Sequence, residues 1–172
     1  MKKVFNYLIY LLIFIIILIF LIPKESFYNL FEKELEKYNI VVSNEIREEK
    51  LDFTILNAEI FYQGIKVAKI DSLNFKSLLF YSKLNVENIY LEDKLKDFIP
   101  NYIEKISFKY NISNFNKIFI EANGRFGHLN GEFNLFNKVI QIEMTPSNEM
   151  KNLNLIKYFK YENERYKYEY KF

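Results

Sequence analysis

Ile60-Phe61-Tyr62-Gln63-Gly64-Ile65-Lys66-Val67 is the stretch that decides the fold of this chain. Ile60 and Tyr62 precede a Gln-Gly pair, and Ile65 and Val67 follow it, so two period-two segments meet in a turn at Gly64. Two antiparallel strands joined this tightly need no long crossover. A chain built from such units is a meander with one buried face and one wet face.

The same period runs outward from this hairpin. Ile40, Val41 and Val42 open a strand before it, and Leu51, Phe53 and Ile55 alternate with polar partners. Beyond it, Leu73 with Phe75 and Leu84 with Val86 repeat the alternation, separated by Ser77, Leu78, Leu79, Phe80 and Tyr81, which read as a helical turn closing one end of the sheet. Residues 91–102 carry Glu92, Asp93, Lys94, Lys96 and Asp97 and stop at Pro100, as a loop or short helix between two sheet segments would. Alternation resumes at Ile106, Phe108, Tyr110 and Ile112, at Ile118, Ile120 and Ala122, at Phe133 and Leu135, and at Ile140, Ile142 and Met144. The expected strands are short, about five residues each. Met150, Leu153, Ile156 and Phe159 return to a near-helical spacing, and Tyr166, Tyr168, Tyr170 and Phe172 alternate strictly, with four aromatics on one side of a final strand.

The segment before the sheet has a different character. Residues 4–22 contain one side-chain amide (Asn6), two tyrosines and no charge. As a helix this run covers about 28 Å, close to the hydrocarbon thickness of a bilayer, and a helix satisfies all its own backbone groups there. We therefore expect a single N-terminal transmembrane α-helix, marked by Val4, Leu12, Ile16 and Ile22, in front of a mainly antiparallel β domain with a curved sheet and minor helices. Lys2 and Lys3 are concentrated in a very short stub, which places residues 1–3 in the cytoplasm and the bulk of the chain in the bacterial periplasm. The run is longer than the apolar region of a signal peptide and ends in Phe20, Leu21, Ile22 and Pro23 rather than small residues, so an uncleaved anchor is expected rather than a cleaved leader. Residues 23–39 read as a juxtamembrane amphipathic helix, with Phe27, Leu30, Phe31, Leu35 and Tyr38 on one face and Ser26 as its cap. That face is expected to dock on the domain that follows, the alternative being the lipid headgroups. Residues 40–172 form the periplasmic β-rich domain, and with only seven Gly and Pro residues in the whole chain no flexible linker is expected.

Composition excludes several functions. Without Lys2 and Lys3 the chain has 22 basic and 22 acidic residues, so a dedicated polyanion binder is not expected. The exception is 150–172, where six basic residues face three glutamates. Its alternating end, Tyr166, Lys167, Tyr168, Tyr170, Lys171 and Phe172, is the candidate partner surface. Cysteine is absent and His128 is the only histidine, so a zinc site lacks its several nitrogen or sulfur donors; a histidine-dependent triad would have to be organised around His128, yet no serine or threonine sits in a nucleophile-elbow sequence, and no catalytic residue, metal or cofactor is expected. Gly124, Gly127 and Gly131 fall within eight residues, yet Glu132, Phe133, Asn134 and Leu135 continue as a strand, whereas a phosphate loop must open a helix. These glycines, with Gly64, are expected to serve structural turns or close backbone approach.

An N-terminal anchor, short amphipathic strands, and the stretch Gly124 to Gly131 followed by Phe133, Asn134, Leu135 and the strand 139–144 together resemble the N protein of type II secretion systems. The pattern is also similar to the wider AsmA-like, bridge-like lipid-transfer proteins and, by role, to the inner-membrane accessory proteins of DNA-uptake systems. The resemblance implies a non-enzymatic periplasmic component of a type II secretion, type IV pilus or DNA-uptake apparatus. Its partners would be the inner membrane and other membrane or periplasmic proteins of the same machine. A lipid-binding or lipid-transfer module is the alternative, and direct nucleic-acid binding is not expected.

Overall fold

The computed structural model describes residues 7, 9–14, 24–49, 52–78 and 80–172. Helix α1 (Lys24–Glu36) leads into β1 (Ile40–Ser43), β2 (Ile46–Glu49), β3 (Phe53–Tyr62), β4 (Ile65–Leu78), β5 (Tyr81–Leu91), β6 (Tyr102–Asn111), β7 (Lys117–Gly124), β8 (Gly127–Asn134), β9 (Val139–Pro146), β10 (Lys160–Glu162) and β11 (Arg165–Lys171). They form one antiparallel sheet in the order β1-β3-β4-β5-β6-β7-β8-β9-β11-β10, with β2 also paired to β3. From β3 to β9 each strand pairs with its successor, so the meander and its minor helices are as the alternation predicts.

The strands are longer than the expected five residues: β3 and β6 have 10 and β4 has 14. Leu78 pairs directly with Tyr81, so the connection read as a helical turn is a tight hairpin, and β4 runs through Ser77. The helical spacing after Met150 resolves into a short helix, Asn148–Lys151, and a 3-10 segment, Asn154–Tyr158.

Register separates the two faces. One apolar row crosses the sheet as Phe53, Phe75, Leu84, Phe108, Ile120, Gly131, Ile142 and Tyr168. The next is Ile55, Leu73, Val86, Ile106, Ala122, Leu129, Met144 and Tyr166. The other face is polar and charge-paired, with Lys105–Glu87 at 2.6 Å, Lys109–Glu121 at 2.6 Å, Lys117–Glu132 at 2.7 Å and Arg165–Glu143 at 2.8 Å. Such cross-strand pairs fix register more than they stabilise, since each exposed pair is worth about 1 kcal/mol or less.

Two covers lie on the apolar face. α1 buries Tyr28 against Phe53, and the segment after β9 buries Met150, with Leu153, Leu155, Ile156 and Phe159 packed around it. Ser147 positions this second cover: its Oγ accepts from the Met150 amide at 3.1 Å, and its own N–H donates to Phe126 O at 2.9 Å. Of the first apolar row only Phe53 is fully buried, while Phe108, Ile120, Ile142 and Tyr168 are half-buried.

α1 docks on the sheet, but not by its expected face. Leu30, Phe31 and Tyr38 point to solvent and Leu35 is half-buried, whereas Tyr28 and Glu32 turn inward. The reason is Arg47 on β2, whose guanidinium stacks 4.9 Å from the Tyr28 ring centroid and meets Glu32 at 3.3 Å and Glu25 at 3.5 Å. One cation thus selects the inward side of the helix. Ser26 lies inside α1 rather than at its cap.

Candidate functional site

Of the anchor residues, Val4, Ile16 and Ile22 lie outside the described residues, and Leu12 is helical and exposed. Among the described residues no helix is long and apolar enough to cross a membrane. Most of the run 4–22 falls outside that description.

The glycines divide by role. Gln63 and Gly64 have φ of 51° and 76°, the paired positive values of a type I′ hairpin turn, and nothing lies within 4 Å of where a Gly64 Cβ would stand. Gly124 closes β7 and Gly127 opens β8, so both frame the turn at Arg125 and Phe126. Gly127 has φ of 112°, and a Cβ there would meet Thr145 O at 2.2 Å. Gly131 is not at a turn. It lies inside β8, where a Cβ would stand 2.8 Å from Gln141 O, so close approach of β9 is the cause. A strand and not a helix follows these glycines, so no helix N-terminus is presented to a phosphate.

His128 is exposed on β8, and its Nδ1 is 2.5 Å from Asn123 Oδ1 of the neighbouring strand. Among the described residues no group of three or more His, Asp or Glu side chains could hold a metal ion.

The candidate partner surface is only partly free. β11 is an inner strand between β9 and β10, so its aromatic side faces the apolar layer. Tyr168 packs on Phe159 at 5.5 Å and Tyr166 on Tyr161 at 5.0 Å, centroid to centroid. Lys167 belongs to the opposite, polar face, 3.7 Å from Glu162. Tyr170 and Phe172 remain exposed beside Lys171. The tyrosines and Lys167 therefore do not present one stacking and phosphate-binding surface.

A concavity of about 770 Å³ also lies on the polar side, lined by Glu132, Gln141, Glu143, Lys167 and Glu169 of the sheet together with Tyr158, Lys160 and Glu162. Of its carboxylates, Glu132, Glu143 and Glu162 face Lys117, Arg165 and Lys167, and Glu169 accepts from Gln141 Nε2 at 2.7 Å. Elsewhere, burial between α1 and the sheet pushes the Tyr28 hydroxyl up to about 12, aided by Glu32 and Glu45, with Arg47 opposing. Hydrogen bonds from Lys66 and Asn44 hold the Glu59 carboxyl below its ordinary range, and Lys109 does the same to Glu121.

No family model, curated protein or solved structure matches this chain.

The sequence reading missed one group of residues. Phe80, Ile112, Phe115 and Phe136 are exposed at sheet connections, and Phe115 meets Phe136 edge-on at 5.6 Å. For Ile112, Phe115 and Phe136 the signal was an apolar residue beside a turn-forming asparagine, in Asn111-Ile112, Asn114-Phe115-Asn116 and Phe136-Asn137, whereas Phe80 has no such neighbour.

Proposed function

We propose that this protein is a non-enzymatic, inner-membrane-anchored structural component of an envelope-spanning apparatus, with its β domain on the periplasmic side. The observation that carries this reading is the open sheet. Among the described residues β1 and β10 each leave one side without a neighbouring strand, and an unpaired edge accepts a strand from a partner by backbone hydrogen bonding. The apolar run 4–22 supports the anchor by its length and lack of charge. The choice of a type II secretion, type IV pilus or DNA-uptake machine follows the resemblance of the anchor, strands and glycine stretch. Photocrosslinkers at Val41 on β1 and Tyr161 on β10, activated in the native membrane, test it. Capture of a component of such an apparatus is expected, and capture of no envelope protein from either edge contradicts the reading.

A lipid-binding module is the second reading, favoured by the half-buried Phe108, Ile140 and Ile142 on the apolar face. Two observations weigh against it: Phe53 and Ile55 are fully packed beneath the domain's own side chains, and the concavity of about 770 Å³ lies on the polar face. A crosslinker at Ile142 that returned acyl lipid and no protein would favour the lipid reading.

A further inference from the structure

The two ends of the sheet differ in chemistry. α1 runs back along the sheet, with Tyr28 beside Phe53 at one end of β3 and Asn39 bonded to Gln63 at the other. Lys24, about one turn before Tyr28, is therefore at the Phe53 end. Four further features collect there: the β4–β5 hairpin, the β6–β7 connection, the β8–β9 turn and Phe172, whose N–H donates to Lys138 O at 2.9 Å. Their exposed tips are Phe80 (58%), Ile112 (49%), Phe115 (57%), Phe136 (68%) and Phe172 (70%).

Charge also differs between the ends. Residues 77–82, 111–117, 134–138 and 170–172 contain no Asp or Glu, and they contribute Lys138 and Lys171, with Lys117 already paired to Glu132 at 2.7 Å. The acids at this end lie on α1 and at the β2–β3 edge: Glu25 is paired with Arg47 at 3.5 Å, Asp52 is paired with Lys76 at 2.7 Å, and Glu49 is in register with Phe53. Connections at the opposite end mix both signs, with Glu92, Asp93, Asp97, Glu149 and Glu164 beside Lys94, Lys96, Arg125 and Lys151. Tyr62, Ile65, Tyr90 and Phe98 are exposed there too, so apolar exposure alone does not distinguish the ends. The absence of acids from the exposed tips, and the entry of the chain from residues 4–22, do.

We propose that the Phe53 end of the sheet is seated in the interfacial zone of the bilayer that holds the anchor, with the aromatic tips at the boundary between headgroups and acyl chains and the lysines facing anionic headgroups. This rests on the anchor reading above. A short link between residue 22 and Lys24 holds this end within a few residues of the bilayer. Aromatic rings are favoured at that depth and an unpaired carboxylate is not, which matches the composition of the tips. The contact fixes the orientation of the domain, and its free edges then stand along the membrane normal, displayed to partners.

The chain has no tryptophan, so single reporters can be placed without background. Full-length Phe136→Trp and Phe98→Trp, reconstituted in phosphatidylglycerol–phosphatidylethanolamine vesicles with brominated acyl chains, are compared after flotation and alkaline washing. Phe136→Trp is expected to be quenched at least about twofold more strongly than Phe98→Trp, because bromines reach only a ring at interfacial depth. Adding Phe115→Asp to Phe136→Trp is expected to reduce that quenching while the protein still floats. Equal quenching at the two ends, or none at either, in protein that floats overturns the seating and leaves the anchor intact. Failure to float overturns the anchor reading and the seating with it.

Discussion

The ring of Tyr28 on α1 lies 5.5 Å from the ring of Phe53 on β3, tilted by 41°, and Phe53 is almost completely buried by it. This contact ties the helix that follows the apolar run to the first long strand of the sheet. Arg47 also lies over the Tyr28 ring, 4.9 Å from its centroid, and holds Asn29 and Glu32 of the same helix.

Tyr28 Oη is buried and has no hydrogen-bond partner among the described residues. Tyr28→Phe is therefore expected to stabilise the domain by about 1 kcal/mol, because an unsatisfied hydroxyl is removed and the ring is kept. Tyr28→Ala is expected to cost about 3 kcal/mol by opening a cavity over Phe53. Denaturant midpoints of the two variants check both signs, and equal losses would contradict the packing argument.

The glycine substitutions are ordered by what a Cβ would meet. Gly127→Ala combines a φ of 112° with carbonyl contact at 2.2 Å and is expected to cost about 3 kcal/mol or more. Gly64→Ala keeps open space around the methyl and is expected to cost about 1 kcal/mol, from backbone conformation alone. Thermal unfolding of both should reproduce that order.

Much of this was legible in the sequence, and the reason for the rest is visible in four residues. Alternation revealed the antiparallel sheet, the hairpin at Gly64 and the aromatic side of β11. It hid the strand lengths because the apolar step changes from two to three at one level of the sheet: Ile55 to Ala58, Ile70 to Leu73, Val86 to Ile89 and Ile103 to Ile106. Asn57, Asp71, Asn88 and Glu104 fall between the paired positions there, and Asn57 and Asn88 have φ of 57° and 54°. Asparagine tolerates that conformation, so a strand continues through what a strict period of two reads as its end. The inward face of α1 was hidden for a different reason: Arg47 chose it from a strand residue that no helical periodicity contains. The tips at the Phe53 end share no sequence period, since they are brought together only by the turns.

Acid sensitivity follows from Glu59 and Glu121. Both have folded pKa values below the ordinary 4.5, held there first by hydrogen bonds from Lys66 and Lys109 respectively. A depressed carboxylate contributes stability that is fully present above about pH 4.5 and is lost as pH falls through the folded value. Lys66→Met and Lys109→Met are each expected to flatten the decline of the denaturation midpoint between about pH 5 and about pH 3. An unchanged acid slope in the double variant would remove these pairs from the account.

The tyrosines of β11 are expected to separate packing from exposure. Tyr166→Ser and Tyr168→Ser together should cost about 2 kcal/mol or more, since both rings are packed against neighbours. Tyr170→Ser, at an exposed position, should change stability by about 0.5 kcal/mol or less. Calorimetry of the two variants distinguishes a core strand from a free surface.

Single-cysteine labelling is the most direct test of the central claim, that a membrane anchor holds this β domain outside the cytoplasm. The chain has no cysteine of its own, so Lys3→Cys and the exposed Asn148→Cys can each be read with a membrane-impermeant maleimide in cells whose outer membrane alone is opened. The account predicts that Asn148→Cys is labelled at once, that Lys3→Cys is labelled only after the inner membrane is broken, and that both stay in the membrane pellet at alkaline pH. Labelling of both positions only after inner-membrane rupture would contradict it.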